Sequence, residues 1–94
     1  MTQEETTSRL LRLRPGALAW TDVEDRIIAL DVESSEYVEL NPTAACLLRT
    51  LEKGADQAGL VAALEHEFEV EREIASEGVR AFLALSGERG WLAE

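Results

Sequence analysis

The stretch EYVELNPTAACLLRTLEKG (36–54) decides the fold, because its hydrophobic period changes at Asn41. Before that residue, Tyr37–Leu40 alternates as a short β-strand. After it, apolar residues follow at helical spacing, at Ala44, Leu47, Leu48 and Leu51. Asn41 suits the N-cap of this helix, Pro42 its first position and Gly54 its end. The junction therefore predicts a strand that runs directly into a capped helix.

Two further strands are predicted upstream of the junction. Leu18 and Trp20 lie two residues apart and would share one face of a first strand, and RIIALDV (26–32) is rich in β-formers. The polar run Thr21–Asp25 is predicted as the loop between these strands, and Glu33–Glu36 as the next turn. Three short strands joined by short loops predict an antiparallel meander.

Two further helices are predicted downstream. Asp56 can cap the second helix, whose apolar stripe is Leu60, Val61, Leu64 and Phe68. The third helix runs from about Glu71 to Glu88, and Gly90 stops it. Trp91 and Leu92 can then fold back over the core. Three antiparallel strands followed by three helices place the chain in the α+β class.

Composition limits the classes of function. The chain has 94 residues, enough for one domain, which we expect over 10–94 after a disordered tail at 1–9. Its 19 acidic and 9 basic side chains give a net charge of −10, which disfavours nucleic acid as a partner. No apolar run approaches the roughly 20 residues that span a bilayer, so no membrane partner is expected. Cys46 is the only cysteine and no secretory signal is visible, so a cytoplasmic location is expected.

The sequence lacks the patterns of catalytic and metal sites. His66 is the only histidine and fits a solvated helix position, whereas Cys46 fits a small near-core residue. There is no CxxC, HxxxH or GxSxG spacing and no glycine-rich phosphate loop. The alternating glutamates from Glu65 to Glu73 lack the Asp/Asn and Gly positions of a calcium loop. We therefore expect no catalytic residue, no metal and no cofactor, and a binding module rather than an enzyme.

Two ordered sets of residues carry a more specific signal. The first spans a strand end and the strand–helix junction: Leu30, Asp31, Tyr37, Leu40, Asn41, Thr43 and Ala44. The second follows the helices: Gly54, Phe68, Val79, Phe82, Leu83, Gly90, Trp91 and Leu92. Over roughly residues 10–93, their order and spacing closely resemble the PqqD family. Its members include the stand-alone RiPP recognition elements, small domains that bind leader peptides of ribosomally made natural products.

The resemblance implies both a fold and a function. The fold would be winged helix-turn-helix-like, with the leader peptide added as an antiparallel strand to the third strand, in the cleft beside the third helix. The size looks most like the small leader-binding half of the split B proteins in lasso-peptide pathways. The implied partners are the precursor leader peptide and a transglutaminase-like cysteine protease that removes it.

The chain departs from the family pattern at three places. Gly is common in the turn where this chain has Ser34-Ser35-Glu36, and an aromatic residue is common in the first helix near Leu47 or Leu48. These two changes are expected to affect packing only. Gly78 replaces an acidic residue often found before the valine, and this change is expected to alter the groove.

The physical requirements of strand addition point to the same region. An exposed edge strand offers unpaired amides and carbonyls, and the third strand contains no Pro or Lys to block it. Backbone pairing alone does not offset the entropy of ordering a peptide, so apolar pockets on the third helix are also needed. The expected peptide-binding residues are Tyr37, Val38, Glu39, Leu40, Ile74, Ala75, Gly78, Val79 and Phe82.

Some alternatives stay open at this level. Either Tyr37 and Glu39 or Val38 and Leu40 face the core, and Gly78 is either a functional opening or a tolerated surface glycine. A proline at Val38 is expected to weaken peptide binding and leave the fold intact. A peptide chaperone for a radical-SAM enzyme and a winged-helix DNA-binding regulator are the competing functions, and the net charge opposes the second. A monomer or weak dimer is expected.

Overall fold

Three strands and three helices follow one another along residues 9–93, the part of the chain that this computed structural model describes. The strands are β1 (Leu18–Val23), β2 (Arg26–Asp31) and β3 (Glu36–Leu40). The helices are α1 (Pro42–Lys53), α2 (Gln57–Phe68) and α3 (Arg72–Arg89). The predicted α+β class is confirmed. Apart from Arg9, the tail predicted at 1–9 lies outside the described residues.

The sheet is an antiparallel meander in the order β1-β2-β3. The loop predicted over Thr21–Asp25 is too long, because β1 continues to Val23, which pairs with Arg26. Only Glu24 and Asp25 turn, and Glu24 takes the left-handed φ of 61° that a two-residue hairpin favours. Polar residues at the exposed end of β1 had made this part of the strand look like a loop.

The second turn also differs from its prediction by one residue at each end. Val32 leaves β2 and joins the turn, whereas Glu36 is the first residue of β3. Ser35 adopts a φ of 61°, and its N–H donates to the Asp31 carbonyl at 2.7 Å. Glycine adopts a positive φ without strain, so the absence of glycine from this turn affects the backbone conformation as well as packing.

The helices cover one face of the sheet. On β2, Ile27 and Ala29 are fully buried on that face, and the alternate residues Ile28 and Leu30 are half-buried on the other. The shared core continues into the three helices, at residues that include Leu47, Leu48, Leu51, Leu60, Leu64, Val79 and Phe82. The core therefore lies between the sheet and the helical layer, and the second face of the sheet stays outside it.

Local caps set the ends of the helices as the sequence predicts. The Asn41 side chain accepts from the N–H of Ala44 at 2.9 Å, with Pro42 at the first position of α1. Asp56 caps α2 in the same way, by accepting from Gly59 at 2.8 Å. Gly90 ends α3 with a left-handed φ of 75°.

The C-terminal segment folds back over the core, which confirms the prediction for Trp91 and Leu92. Trp91 is fully buried, and its indole N–H donates to Asp31 Oδ2 at 3.0 Å. This hydrogen bond lowers the pKa of Asp31, while partial desolvation opposes the shift. Leu92 pairs with Leu13, so the two ends of the described chain meet beside the sheet.

Candidate functional site

The outer edge of β3 is a free strand edge in the described part of the chain, because β3 pairs only with β2 there. The register shows which of its groups are unpaired. The N–H of Val32 donates to the Ala17 carbonyl at 3.0 Å. Val32 and Ala17 lie directly opposite each other, so they are a hydrogen-bonded pair of the antiparallel ladder. Such pairs alternate along an antiparallel ladder, so Ile28 and Leu30 of β2 point their backbone groups towards β1.

The same alternation assigns the backbone groups of β3. The backbone N–H and C=O groups of Ile27, Ala29 and Asp31 in β2 point towards β3. They pair with those of Leu40, Val38 and Glu36, in that order. The residues between them, Tyr37 and Glu39, therefore direct their N–H and C=O groups outwards. The free edge thus offers two donors and two acceptors.

This geometry corrects one prediction about Val38. Its N–H points inwards to β2, so a proline there would break an internal ladder bond and destabilise the fold. From this register we instead expect Val38→Pro to lower the stability of the fold. A proline that tests the free edge belongs at Tyr37 or Glu39, whose N–H groups point outwards.

The structure also decides which side chains of β3 face the core. Leu40 is buried and Val38 half-buried against the helical layer. Tyr37 is 75% exposed on the opposite face, and Glu39 on that face pairs with Arg26 at 2.6 Å. An incoming strand would therefore lie next to the Val38 side chain on the helical face of the sheet and next to the Tyr37 side chain on the opposite face.

An apolar groove lies between the start of α1 and the middle of α3, next to the end of β3. It has a volume of about 270 Å³. Its lining residues are Asn41, Thr43, Ala44, Leu47, Gly78, Ala81, Phe82 and Leu85. Such a groove can take apolar side chains, with few polar groups to desolvate.

A second apolar cavity of about 140 Å³ adjoins this groove, and Thr43 and Gly78 line both. Its other lining residues are Leu64, Phe68, Val70, Ile74 and Ala75. A Cβ atom added to Gly78 would lie 3.4 Å from Leu64 Cδ1 and 3.8 Å from Thr43 Cγ2. Gly78 therefore sits where the two cavities meet, and any side chain there would narrow the passage between them.

The predicted site residues fall into three groups in the structure. Gly78 and Phe82 line the groove, and Ile74 and Ala75 line the second cavity. Val79 is fully buried and belongs to the core, as the apolar pattern favoured. The four residues of β3 form the strand edge itself, with Tyr37 and Glu39 on the face away from the groove.

Several groove residues on α1 and α3 were not among the predicted site residues. Ala81 and Leu85 follow Gly78 at the spacing i+3 and i+7, so they share its helical face. Thr43 and Ala44 come from the first turn of α1, which the Asn41 side chain caps. The helical spacing was visible in the sequence, but the approach of α1 to α3 was not.

The remaining candidates for chemistry lie apart from the groove or are unsuited to it. Cys46 is half-buried on α1, and burial raises the pKa of its thiol, which disfavours the reactive thiolate. His66 is exposed near the end of α2, as predicted. Within residues 9–93, no cluster of three or more His, Cys, Asp or Glu could hold a metal ion. None of the helices described is both long and apolar enough to cross a bilayer.

A free strand edge beside an apolar groove is the arrangement of domains that take up an extended peptide by strand addition. The chain belongs to the PqqD family, because the family model for coenzyme PQQ synthesis protein D (PqqD) matches residues 26–92. No curated protein matches the chain.

Two solved structures are similar over nearly the whole chain. One is lasso peptide synthetase B1 complexed with the leader peptide, with 32% identity and a TM-score of 0.72 over 89% of this chain and 98% of that chain. The other is TbiB1 in complex with the TbiA(beta) leader peptide, with 21% identity and a TM-score of 0.75 over 86% and 93%. The second similarity concerns the fold alone.

Proposed function

We propose that the chain binds the leader region of a ribosomally made precursor peptide, as a fourth antiparallel strand on β3. The observation that carries the proposal is the free edge of β3, with outward-pointing groups at Tyr37 and Glu39, which leads directly into Asn41 of the groove between α1 and α3. Strand addition at this edge gives main-chain hydrogen bonds, and the groove gives side-chain specificity. The similar structure of lasso peptide synthetase B1, 32% identical, contains a leader peptide and supports the same function.

The magnitudes show why edge and groove are both needed. Ordering about eight peptide residues costs roughly 8–16 kcal/mol of backbone entropy. Four hydrogen bonds to the free groups of β3 return only about 2–6 kcal/mol. Apolar side chains that enter the groove contribute roughly 1.5–3 kcal/mol each, so the groove must supply a large share of the binding free energy.

In the full proposal the chain is a cytoplasmic, non-catalytic binder. It holds the leader of a lasso-peptide precursor and presents it to a separate transglutaminase-like cysteine protease. The 32% identity to lasso peptide synthetase B1 supports this pathway. The apolar character of the groove and the raised pKa of Cys46 suit binding rather than catalysis.

The direct test is a binding titration with a synthetic leader. The neighbouring open reading frames are first searched for a short precursor, and a fluorescein-labelled peptide is made from the N-terminal part of any precursor found. We expect a dissociation constant of about 1 μM or lower, which corresponds to about −8 kcal/mol. A scrambled peptide of the same composition is the control, and equal affinity for both peptides would contradict the proposal.

A second candidate within the same family is a peptide chaperone for a radical-SAM enzyme. The match to coenzyme PQQ synthesis protein D favours it. The two candidates differ in the enzyme that the bound peptide serves. If purified radical-SAM enzyme acts on the precursor only when this chain is present, and the cysteine protease does not, the second candidate is correct.

A further inference from the structure

The edge strand β3 carries two acidic side chains, one on each face of the sheet. Glu36 lies two residues before Val38, so its side chain is on the helical face. Glu39 lies two residues after Tyr37, so its side chain is on the opposite face. A peptide strand that adds to β3 would therefore meet a carboxylate on both of its faces.

Both carboxylates are exposed, and an ion pair uses one oxygen of each. Glu36 Oε1 lies 3.3 Å from Arg89 Nη1 at the end of α3, and Glu39 Oε2 lies 2.6 Å from Arg26 Nη1 on β2. Within the described residues, no hydrogen bond reaches the second oxygen of either carboxylate. A carboxylate accepts several hydrogen bonds, so each of the two can bind a further cation.

The antiparallel register assigns one peptide position to each carboxylate. The added strand runs opposite to β3, so its successive residues would face Leu40, Glu39, Val38, Tyr37 and Glu36. The residue that faces Glu36 therefore comes three positions after the residue that faces Glu39. Side chains directly opposite each other have Cβ atoms about 4.5–5.5 Å apart, so both peptide side chains would lie within reach of their carboxylates.

The charge around this edge favours a basic peptide over an acidic one. The two arginine partners balance the two glutamates, so the rest of the chain decides the sign of the field, and the net charge is −10. Asp31 lies opposite Glu36 in the sheet, and its hydrogen bond from Trp91 favours the ionised carboxyl group. The contact of Arg89 with Glu36 also brings the end of α3 to this edge, where the helix dipole is negative.

Facing charges discriminate between peptides at these two positions. Opposite charges across an antiparallel pair stabilise it, and like charges destabilise it. A Lys or Arg side chain opposite Glu36 or Glu39 would bind the carboxylate oxygen that the arginine leaves unused. Asp or Glu at the same position would face a carboxylate at close range.

We propose that Glu36 and Glu39 make the site selective for a basic leader, with Lys or Arg at the two positions, three residues apart, that face them. This inference rests on the proposed function and names the class of peptide that the site takes. Between the two basic residues, the one that faces Val38 points towards the helical side and is apolar. The expected segment therefore reads basic, apolar, any residue, basic.

The test reverses the charges of the chain and of the peptide one at a time. Glu36→Lys and Glu39→Lys reverse the two charges of β3. Glu33→Lys is the matched control, because Glu33 is 80% exposed, has an arginine partner at 3.7 Å and lies in the turn outside β3. Each full-length variant is titrated with the labelled synthetic leader, and with peptides in which each Lys or Arg is replaced by Glu in turn.

We expect Glu36→Lys and Glu39→Lys each to weaken binding of the unchanged leader about tenfold, because an attractive cross-strand pair becomes a repulsive one. Glu33→Lys should change the affinity less than about twofold. One charge-reversed peptide should bind Glu36→Lys at least about tenfold more tightly than it binds wild type. A second, changed three residues earlier, should do the same with Glu39→Lys. Equal losses in all three variants, or a leader without basic residues at this spacing, overturn the charge selection.

Further outcomes separate this inference from the proposed function and from misfolding. If wild type does not bind the leader at all, the proposed function itself is wrong. Far-UV circular dichroism checks the fold, and Glu36→Gln and Glu39→Gln, with an expected loss of about threefold, replace any lysine variant that does not fold. Charged residues on an edge strand also discourage pairing between copies. If light scattering shows that the variants dimerise while leader affinity is unchanged, the two glutamates only prevent self-pairing and the proposal is overturned.

Discussion

The two outer edges of the sheet are alike in their backbone and differ in what lies beside them. On β1 the outward-pointing groups belong to Leu18, Trp20 and Asp22, and on β3 to Tyr37 and Glu39. Each edge carries an acidic side chain in an exposed ion pair of 2.6 Å, Asp22 with Arg49 and Glu39 with Arg26.

The apolar groove between α1 and α3 begins at Asn41, the residue that directly follows β3. The cavity beside Leu18 and Trp20, of about 250 Å³, includes Arg14 and Glu52 in its lining. Any free edge can accept main-chain hydrogen bonds, but these do not offset the cost of ordering a peptide. In the proposed function, the groove that follows β3, rather than a free edge as such, therefore determines which edge binds the peptide.

A pair of proline variants gives the largest expected effect. Glu39→Pro removes an outward N–H and places the proline ring where the added strand would lie. We expect a loss of about 2–3 kcal/mol in leader binding, roughly 30- to 150-fold, because one bond is lost and one peptide carbonyl is left unpaired. The labelled-peptide titration measures this loss.

Asp22→Pro is the matched control on the other edge. It also removes an outward N–H and breaks an exposed ion pair with an arginine, and such pairs contribute at most about 1 kcal/mol. Leader affinity should stay at the wild-type value. A loss in Asp22→Pro equal to that in Glu39→Pro would show that the β3 edge is not special.

Gly78 allows a test of the groove alone. Gly78→Gln should fill the passage between the two cavities and weaken leader binding by about tenfold or more, the loss of one apolar anchor. Gly87→Gln is the control on the same helix, since a side chain there would meet no atom within 4 Å. If both variants bind the leader equally well, the passage at Gly78 has no role.

Gly78→Ala should separate stability from binding. Its Cβ would make ordinary contacts with Leu64 and Thr43, and alanine is favoured over glycine in a helix by about 1 kcal/mol. We expect the free energy of unfolding in urea to rise by up to about that amount while leader affinity falls a few-fold. A gain in both would mean that Gly78 is a tolerated surface glycine.

The turn before β3 has a smaller expected effect, and on stability only. Ser35 has a φ of 61°, a conformation that costs an ordinary residue roughly 1–2 kcal/mol and glycine nothing. Glycine also raises the conformational entropy of the unfolded chain, which offsets part of this gain. Ser35→Gly should therefore raise the free energy of unfolding by about 0.5–1 kcal/mol. Ser34→Gly is the control and should lower it, because Ser34 has no positive φ.

The Asp31–Trp91 hydrogen bond predicts an effect that depends on pH. A lowered pKa means that the folded state favours the carboxylate, so its contribution is present above the usual value of 3.8 and is lost as pH falls through the lower folded value. Asp31→Asn should therefore be less stable than wild type near neutral pH, and the difference should shrink below about pH 3.8. Urea unfolding between pH 3 and 7 measures it, and a difference independent of pH would contradict the assignment.

Much of the fold was predictable because its signals are local. The cap at Asn41, the proline that follows and the glycine ends of α1 and α3 depend on neighbouring residues alone. The end of β1 was missed because Thr21 and Asp22 are polar and exposed, and tertiary pairing overrides that pattern. The Asp31–Trp91 contact joins residues 60 positions apart, so no local pattern reveals it.

The candidate site was predictable only in outline. The sequence and its family resemblance indicated β3 and α3, but a four-residue run does not show which side chains face the core. That assignment required the packing of the sheet against the helices, which buries Leu40, half-buries Val38 and leaves Tyr37 exposed. The contribution of Thr43 required the packing of α1 against α3, which depends on the whole core.

Amide hydrogen exchange, followed by NMR with and without saturating synthetic leader, tests strand addition most directly. In the free chain the Tyr37 and Glu39 amides should exchange fast, because they point outwards, whereas Val38 should be protected by its bond to β2. With the leader bound, we expect the Tyr37 and Glu39 amides to slow by at least about tenfold, with no change at Trp20 or Asp22. If Tyr37 and Glu39 keep their free exchange rates in the complex, the leader does not add to β3.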